Sequence, residues 1–272
     1  MGPHWLHHWI TYVVYVLVTG HVTTACISLY LHRSMAHRSV TIRSFPAALM
    51  RAVLWLFTGM DTKEWTACHR KHHAYVDQYG DPHSPVLEGF LQIFLFGVFY
   101  YSKAVTDAAM VEQYGKGTPD DWLERHVFHG LHICGIFFIL LANALVFGVM
   151  TGAILWAVQM VWIPFWAAGV VNGVGHAWGY RNFQLKDASR NFAPIAIWLA
   201  GEELHNNHHA NPAAPKFAVK WWEFDVGWFY IRILQGLRMA RVIAFSAGTV
   251  QPALAVPPLA PLRPVAPELQ LR

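Results

Sequence analysis

The sequence predicts an all-α integral membrane protein. It would have about three transmembrane helices, in-plane or interfacial helices beside them, and a cytoplasmic helical cap holding a histidine-rich site for two metal ions. Three observations carry this prediction. The chain of 272 residues is 55% hydrophobic and only 13% charged, where a soluble globular domain carries about a quarter charged residues. It holds 13 Trp, a residue that collects at membrane–water interfaces. Its 17 His gather mostly in polar clusters outside the apolar stretches. The net charge of +4 is mild and its carriers are scattered, which speaks against a nucleic-acid partner.

Three stretches reach the roughly 20 residues that a helix needs to cross a bilayer. They cover about 9–31 ("WITYVVYVLVTGHVTTACISLYL"), 131–150 and 153–174, and a Thr-Gly-type turn joins the last two into a helical hairpin. Two shorter apolar stretches, 45–60 and 86–101, read as helices lying in the interface or dipping into the bilayer, the former because it contains Arg51. All 20 Lys and Arg fall between 33 and 125 or between 181 and 272. The positive-inside rule therefore places 32–130 and 176–245 in the cytoplasm, with the N-terminus and the hairpin turn outside. The start, "MGPHWLHHW", lacks the basic region and cleavage site of a signal peptide, so the first span is expected to stay as an anchor. Residues 1–245 then form one membrane domain, and 246–272 a Pro-rich disordered tail. Cys26, Cys68 and Cys134 form no C-x-x-C pair and read as lone buried thiols.

With this topology the polar histidine clusters share one membrane face. "HRSMAH" supplies His32 and His37, "HRKHH" supplies His69, His72 and His73, and "HNNHH" supplies His205, His208 and His209. His176 follows the third span. On a helix i, i+3 and i+4 lie on one face, so each H-x-x-H-H is expected to aim three imidazoles at one point. His32 and His37 are five apart, roughly 140° on an α-helix, so their convergence requires unwinding, or each serves a different ion. So many imidazoles exceed one tetrahedral zinc and suit two ions, with zinc, copper, iron and nickel all open. His4, His7, His8, His21, His126, His129 and His132 lack such spacing and read as ordinary hydrogen-bonded side chains.

These boxes, with "TKEWTACHRKHHAYVDQYGDPHSP", "NGVGHAWGYRNF" and "GEELHNNHHANP", resemble those of the membrane fatty-acid desaturases, in particular the short bacterial members of the stearoyl/acyl-CoA (delta-9) branch. The resemblance runs from about residue 21 to 242. It implies a non-haem di-iron centre held by His32, His37, His69, His72, His73, His176, His205, His208 and His209, with Asn172 reaching a metal through water. It also implies O2 as co-substrate and a cis double bond, delta-9 by family likeness, placed in a saturated acyl chain. Carboxylates behind the imidazoles would offset the ionic charge, and Asp81, Glu202, Glu203 and Asp77 are the nearest candidates. Trp65, Trp178 and Tyr180 are candidates for the wall of an acyl tunnel.

The substrate would be the acyl chain of a membrane lipid or an acyl-CoA. Many acyl-CoA desaturases carry Arg-Asp before the second box, where this chain has Ala67 and Cys68, which leaves the carrier open. Electrons must come from a separate ferredoxin, cytochrome b5-like protein or flavoprotein reductase, because no G-x-G-x-x-G or C-x-x-C-H motif is present. Arg33, Arg38, Arg70 and Lys71 offer a basic face for an acidic carrier, or serve topology and lipid head groups. The nearest rival function is a related His-box hydroxylase of alkanes, sterols, sphingolipids or carotenoids. A non-catalytic membrane metal or haem carrier is the remote one.

Overall fold

The computed structural model describes residues 4–243, so the expected tail at 246–272 lies outside the described residues. Helix α1 (His4–Cys26) runs on as a π-helical stretch (Ile27–Ala36), followed by β1 (Val40–Ile42), α2 (Ser44–Phe57), α3 (Thr62–Ala74), α4 (Pro85–Glu88), α5 (Phe90–Val105) and α6 (Ala108–Tyr114). A second π-helical stretch (Glu124–Phe128) leads to α7 (His132–Phe147) and α8 (Val149–Ile163), which a third (Pro164–Val174) joins to α9 (Gly175–Ala177). The chain closes with β2 (Ile195–Ala196), α10 (His205–Ala210), β3 (Phe224–Asp225), α11 (Val226–Gly236) and β4 (Ala240–Val242).

Two continuous helices, Trp9–Ala36 and Val149–Ala177, are long and apolar enough to cross a membrane. The expected span at 131–150 is the 16-residue helix α7, short of the roughly 20 residues a crossing needs. Helices α7 and α8 do form a hairpin, but it reverses at Gly148, whose φ of +82° suits glycine. Thr151 and Gly152, expected as the turn, lie inside α8 instead. At Gly152 the two helices touch, since a Cβ there would come 2.5 Å from the backbone of Asn143 and Ala144.

The interior of this bundle is not purely apolar. Tyr15 donates to Asn143 Oδ1 at 2.7 Å, Asn143 to Gln159 Oε1 at 2.9 Å, and Gln159 to Thr19 Oγ1 at 3.1 Å, linking α1, α7 and α8. Each group is satisfied, which is the condition for a polar network to be tolerated among apolar helices. His21 in α1 is an ordinary hydrogen-bonded side chain, as expected, and pairs with the Tyr230 hydroxyl at 2.8 Å. Helix α2 accommodates Arg51 because Glu124 (2.9 Å) and Asp121 (2.8 Å) neutralise it. The shorter apolar helices are bundle members, with Trp55 of α2 bonded to the Leu131 carbonyl and Phe94 of α5 packed on Phe165.

Two short β pairs complement the helices. Strand β1 pairs antiparallel with β4 (Val40 with Val242), and β2 pairs parallel with β3. The firmest tie between the halves is Arg33. Its side chain is fully buried, forks onto Asp225 at 3.0 and 3.1 Å, and stacks 3.8 Å above the Phe217 ring. Glycines 201 and 227 make room, because a Cβ at either would come 2.5 Å from a guanidinium nitrogen. The residue beside His32 thereby anchors the first histidine box to the segment that carries the third.

Candidate metal centre

The first box works because its helix is not an α-helix. Where the stretch Ile27–Ala36 is π-helical, the hydrogen bonds run i to i+5, and His37 N–H donates to the His32 carbonyl at 3.0 Å. One π turn therefore stacks His32 over His37, and both enter the same imidazole group. The second box sits on α3, whose start Asp61 caps by accepting from the Glu64 N–H at 2.8 Å. The third sits on the six-residue α10, every one of whose histidines is buried.

The nine imidazoles divide into two groups. His32, His37, His69, His73 and His208 form one, and His72, His176, His205 and His209 form the other, with ligand atoms in each within 4.8 Å of one another. This corrects the expectation that each H-x-x-H-H aims at one point. On an α-helix i+4 lies about 40° to one side of i and i+3 about 60° to the other. Each box therefore gives its i, i+4 pair to one group and its i+3 residue to the other. His69 and His73 go to the five-membered group with His72 sent across; His205 and His209 go to the four-membered group with His208 sent across.

The residues fit two metal ions. Ring nitrogens meet nose to nose at 2.9–3.0 Å, as His37 Nε2 does with His69 Nε2, His208 Nε2 with those of His32 and His73, and His176 Nε2 with His205 Nε2. His72 Nε2 and His209 Nε2 are buried with no partner among the described residues. A cation held by each group would satisfy such nitrogens. Burial, aided by neighbouring imidazoles, pushes His69, His73, His205, His208 and His209 well below the usual histidine range, and His37 likewise. They are therefore neutral near pH 7, the form that binds metal.

Carboxylates stand behind several rings. Glu202 accepts from His32 Nδ1 at 2.7 Å, Asp81 from His72 Nδ1 at 2.9 Å and Asp77 from His176 Nδ1 at 2.9 Å. Each bond fixes the tautomer and turns Nε2 inward. Burial alone would raise Asp77, but the His176 imidazole together with the Ala188 N–H and the Ser84 hydroxyl outweighs it and holds the carboxyl at about 2. Asp187, which the sequence reading did not single out, lies 3.6 Å from His209 Nδ1; nothing in its spacing marked it. Glu203 touches no imidazole. One of its oxygens accepts from the Leu199 N–H at 2.7 Å, the other has no hydrogen-bond partner among the described residues, and burial pushes its carboxyl up to about 7.

Below the imidazoles lies a cavity of about 400 Å³, walled mainly by apolar side chains such as Ile27, Phe57, Ile136, Ile163 and Val171. His32, His69 and His205 reach it, as do Asn172 and Trp65. Trp178 and Tyr180 do not line it. Trp178 is 78% exposed, and the Tyr180 hydroxyl donates to Glu223 at 2.7 Å. His83, unassigned from sequence, does line it and stacks on His72 with ring centres 4.6 Å apart. The clue was available, since His83 follows Asp81 by two residues in "DPH".

The other predicted features have settled places. His126 bonds to the Trp122 carbonyl, His129 to Asp61 and His132 to the His129 carbonyl. Cys26 and Cys68 are buried free thiols, whereas Cys134 is exposed. The basic face is largely spent on structure, because Arg33 is buried, Arg70 binds the carbonyls of Met35, Ala36, Tyr114 and Lys116, and Arg38 binds that of Lys116.

The chain thus combines helices of membrane-crossing length with clustered imidazoles that could hold metal and an apolar cavity beside them. The fatty acid desaturase family matches this chain over residues 7–225. An acyl-CoA 5-desaturase of Anemone leveillei is 31% identical over 241 residues, 87% of this chain and 71% of that protein. An sn-2 palmitoyl-lipid 9-desaturase of Nostoc sp. (strain 36) is 30% identical over 256 residues, 89% of this chain and 84% of its own. A delta-9 acyl-lipid desaturase of Arabidopsis thaliana is 28% identical, with 87% and 74% covered. The chain belongs to the fatty acid desaturase family. It is an oxidoreductase.

Proposed function

We propose that this chain is an O2-dependent acyl desaturase that places a cis double bond, at the delta-9 position, in a saturated acyl chain carried by a membrane lipid or by CoA. The observation that carries this reading is the division of nine buried imidazoles into groups of five and four beside an apolar cavity of about 400 Å³. Two iron ions held by these groups would supply the activation of dioxygen and the oxidising power to take hydrogen from unactivated methylenes. The balance is two hydrogens from adjacent carbons, two electrons and two protons from outside, and O2 reduced to two waters.

The protein's own share is to bind, orient and exclude water. The cavity walls hold a flexible chain that has no polar handle at the reacting carbons, which is where positioning lowers the barrier. Asp77, Asp81 and Glu202 keep three imidazoles in the tautomer that points Nε2 inward. Asn172, which lines the cavity one turn before His176, would reach a metal through water. Trp65 walls the acyl tunnel. Electrons come from a separate ferredoxin, cytochrome b5-like protein or flavoprotein reductase. The imidazoles face the cytoplasmic side of the membrane in this reading, following the basic residues.

The test is expression in a host with a suitable electron donor, followed by mass analysis of its lipids. Product two hydrogens lighter than the substrate chain supports desaturation. Product heavier by one oxygen overturns it in favour of hydroxylation.

A further inference from the structure

The cavity holds two polar groups that the imidazole groups do not use. The Tyr101 hydroxyl and His83 Nε2 are buried, belong to residues lining the cavity, and have no hydrogen-bond partner among the described residues. Native proteins rarely keep a buried donor unpaired without a use for it. Helix α5 brings Tyr101, α3 brings Cys68, and the loop between α3 and α4 brings His83. The Cys68 Sγ lies 3.9 Å from His83 Nδ1. A thiol donating to Nδ1 leaves the ring proton on Nε2, so His83, like Tyr101, keeps a neutral donor without a partner among the described residues in the wall of the cavity.

An acyl substrate offers few acceptors to such donors. Its methylenes have none, and a phosphate calls for cations, whereas no Lys or Arg lines the cavity among the described residues. The group that matches is the neutral, acceptor-only carbonyl that joins the chain to its carrier, an ester in a lipid or a thioester in acyl-CoA. We propose that Tyr101 and His83 hold this carbonyl oxygen and so set which methylenes lie beside the imidazole groups. Ser102, exposed at the next position of α5, also lines the cavity and marks where the carrier leaves for the surface. The assignment rests on the desaturase reading and makes both residues substrate-positioning groups that fix the register of the double bond.

The test uses the full-length protein in membranes, loaded with metal and supplied with ferredoxin and its reductase. The substrates are palmitoyl phospholipid, palmitoyl-CoA and an ether-linked phospholipid whose chain lacks the carbonyl. With a 13C-labelled carbonyl, infrared spectra should show a lowered stretching frequency in the wild type that rises in Tyr101→Phe. The same variant should raise KM about tenfold with little change in kcat, and spread the double bond over neighbouring carbons. His83→Leu should act likewise, while His83→Gln, which keeps a donor, should hold the wild-type position.

The ether lipid should be a poor substrate for the wild type, and Tyr101→Phe should not change its turnover. A carbonyl shift with ester alone or thioester alone supports the assignment and names the carrier. Unchanged carbonyl frequency and double-bond position in Tyr101→Phe, or an ether lipid used as well as the ester, overturns it. Should the wild type hydroxylate instead, the desaturase reading fails, yet the spread of the oxidised position still judges the carbonyl contact.

Discussion

The two imidazole groups are built on different principles. The five-membered group relies on number, with one carboxylate behind it, where Glu202 holds His32. The four-membered group has fewer rings but more negative charge, where Asp81 holds His72, Asp77 holds His176 and Asp187 stands 3.6 Å from His209. Anionic support raises the basicity of a ligating imidazole and fixes its aim, so it compensates for a missing ring. The two groups are therefore not equivalent. The group poorer in rings includes His205, which lines the cavity, and draws on the helix carrying Asn172.

Neighbouring residues on one helix give the sharpest way to break this comparison. His72→Ala takes the four-membered group to three rings, whereas His73→Ala leaves the five-membered group with four. His72→Ala is expected to abolish double-bond formation and to lower metal content from about two ions per chain to about one. His73→Ala is expected to retain both ions with weaker binding and to keep some activity. Metal analysis of purified membranes beside lipid product analysis reads both effects. Equal losses in the two variants would mean that the groups do not differ in spare capacity.

Much of this centre was legible in the sequence, and its limits are physical. H-x-x-H-H announces clustered imidazoles by spacing alone, and the nine ring positions were all marked. What spacing on an ideal α-helix cannot express is the π-helical geometry that unites His32 with His37, since i and i+5 diverge by roughly 140° at 3.6 residues per turn. Nor does it show which ring faces which group, because i+3 and i+4 lie on opposite sides of i. Carboxylates were found where they sit near a box, as Asp81 does, and missed at Asp187, which reaches His209 only through the fold. The adjacent pair Glu202 and Glu203 looked equivalent in sequence, yet only one turns towards an imidazole. Long apolar runs identified the two helices that are long and apolar enough to cross a membrane. The helix at 132–147 fell short because Gly148 ends it before the expected turn.

Removing the anionic support should produce the next largest effect. Asp77→Asn keeps a hydrogen-bond acceptor behind His176 but loses the charge, and is expected to weaken metal retention in the four-membered group by about 10–100-fold. Glu202→Gln makes the same change behind His32, where four further rings remain, and should cost less. Titration of each variant with a competing chelator separates them. A larger loss for Glu202→Gln would reverse the account of the two groups.

Acid should act through the five-membered group more than the other. In an unfolded chain histidine titrates near 6.5, while burial holds His37, His69, His73 and His208 well below that when folded. As pH falls through 6.5 the unfolded chain takes up protons that the folded chain refuses, so stability is lost on the acid side. Metal-stripped protein should therefore melt at least about 5 °C lower at pH 5 than at pH 7. His69→Gln should flatten that slope. His72→Gln should not, because Asp81, with Asp77 and Asp187, outweighs the effect of burial and raises His72 above its ordinary value.

Glu203 offers the smallest effect and tests whether a carboxylate near the centre helps only when it holds a ring. It accepts from the Leu199 N–H and meets no imidazole among the described residues, and burial raises its carboxyl to about 7. A raised acid binds its proton more tightly when folded, so stability falls as pH rises from the unfolded value near 4.5 through 7 and stays lower above it. Glu203→Gln removes the ionisation and keeps an acceptor for Leu199. It should match the wild type near pH 4.5 and be more stable above pH 7, by on the order of 2 kcal/mol. Metal content should not change. Melting curves across that pH range decide the matter. A variant less stable than wild type at pH 8, or one that loses metal, would place Glu203 among the supporting carboxylates after all.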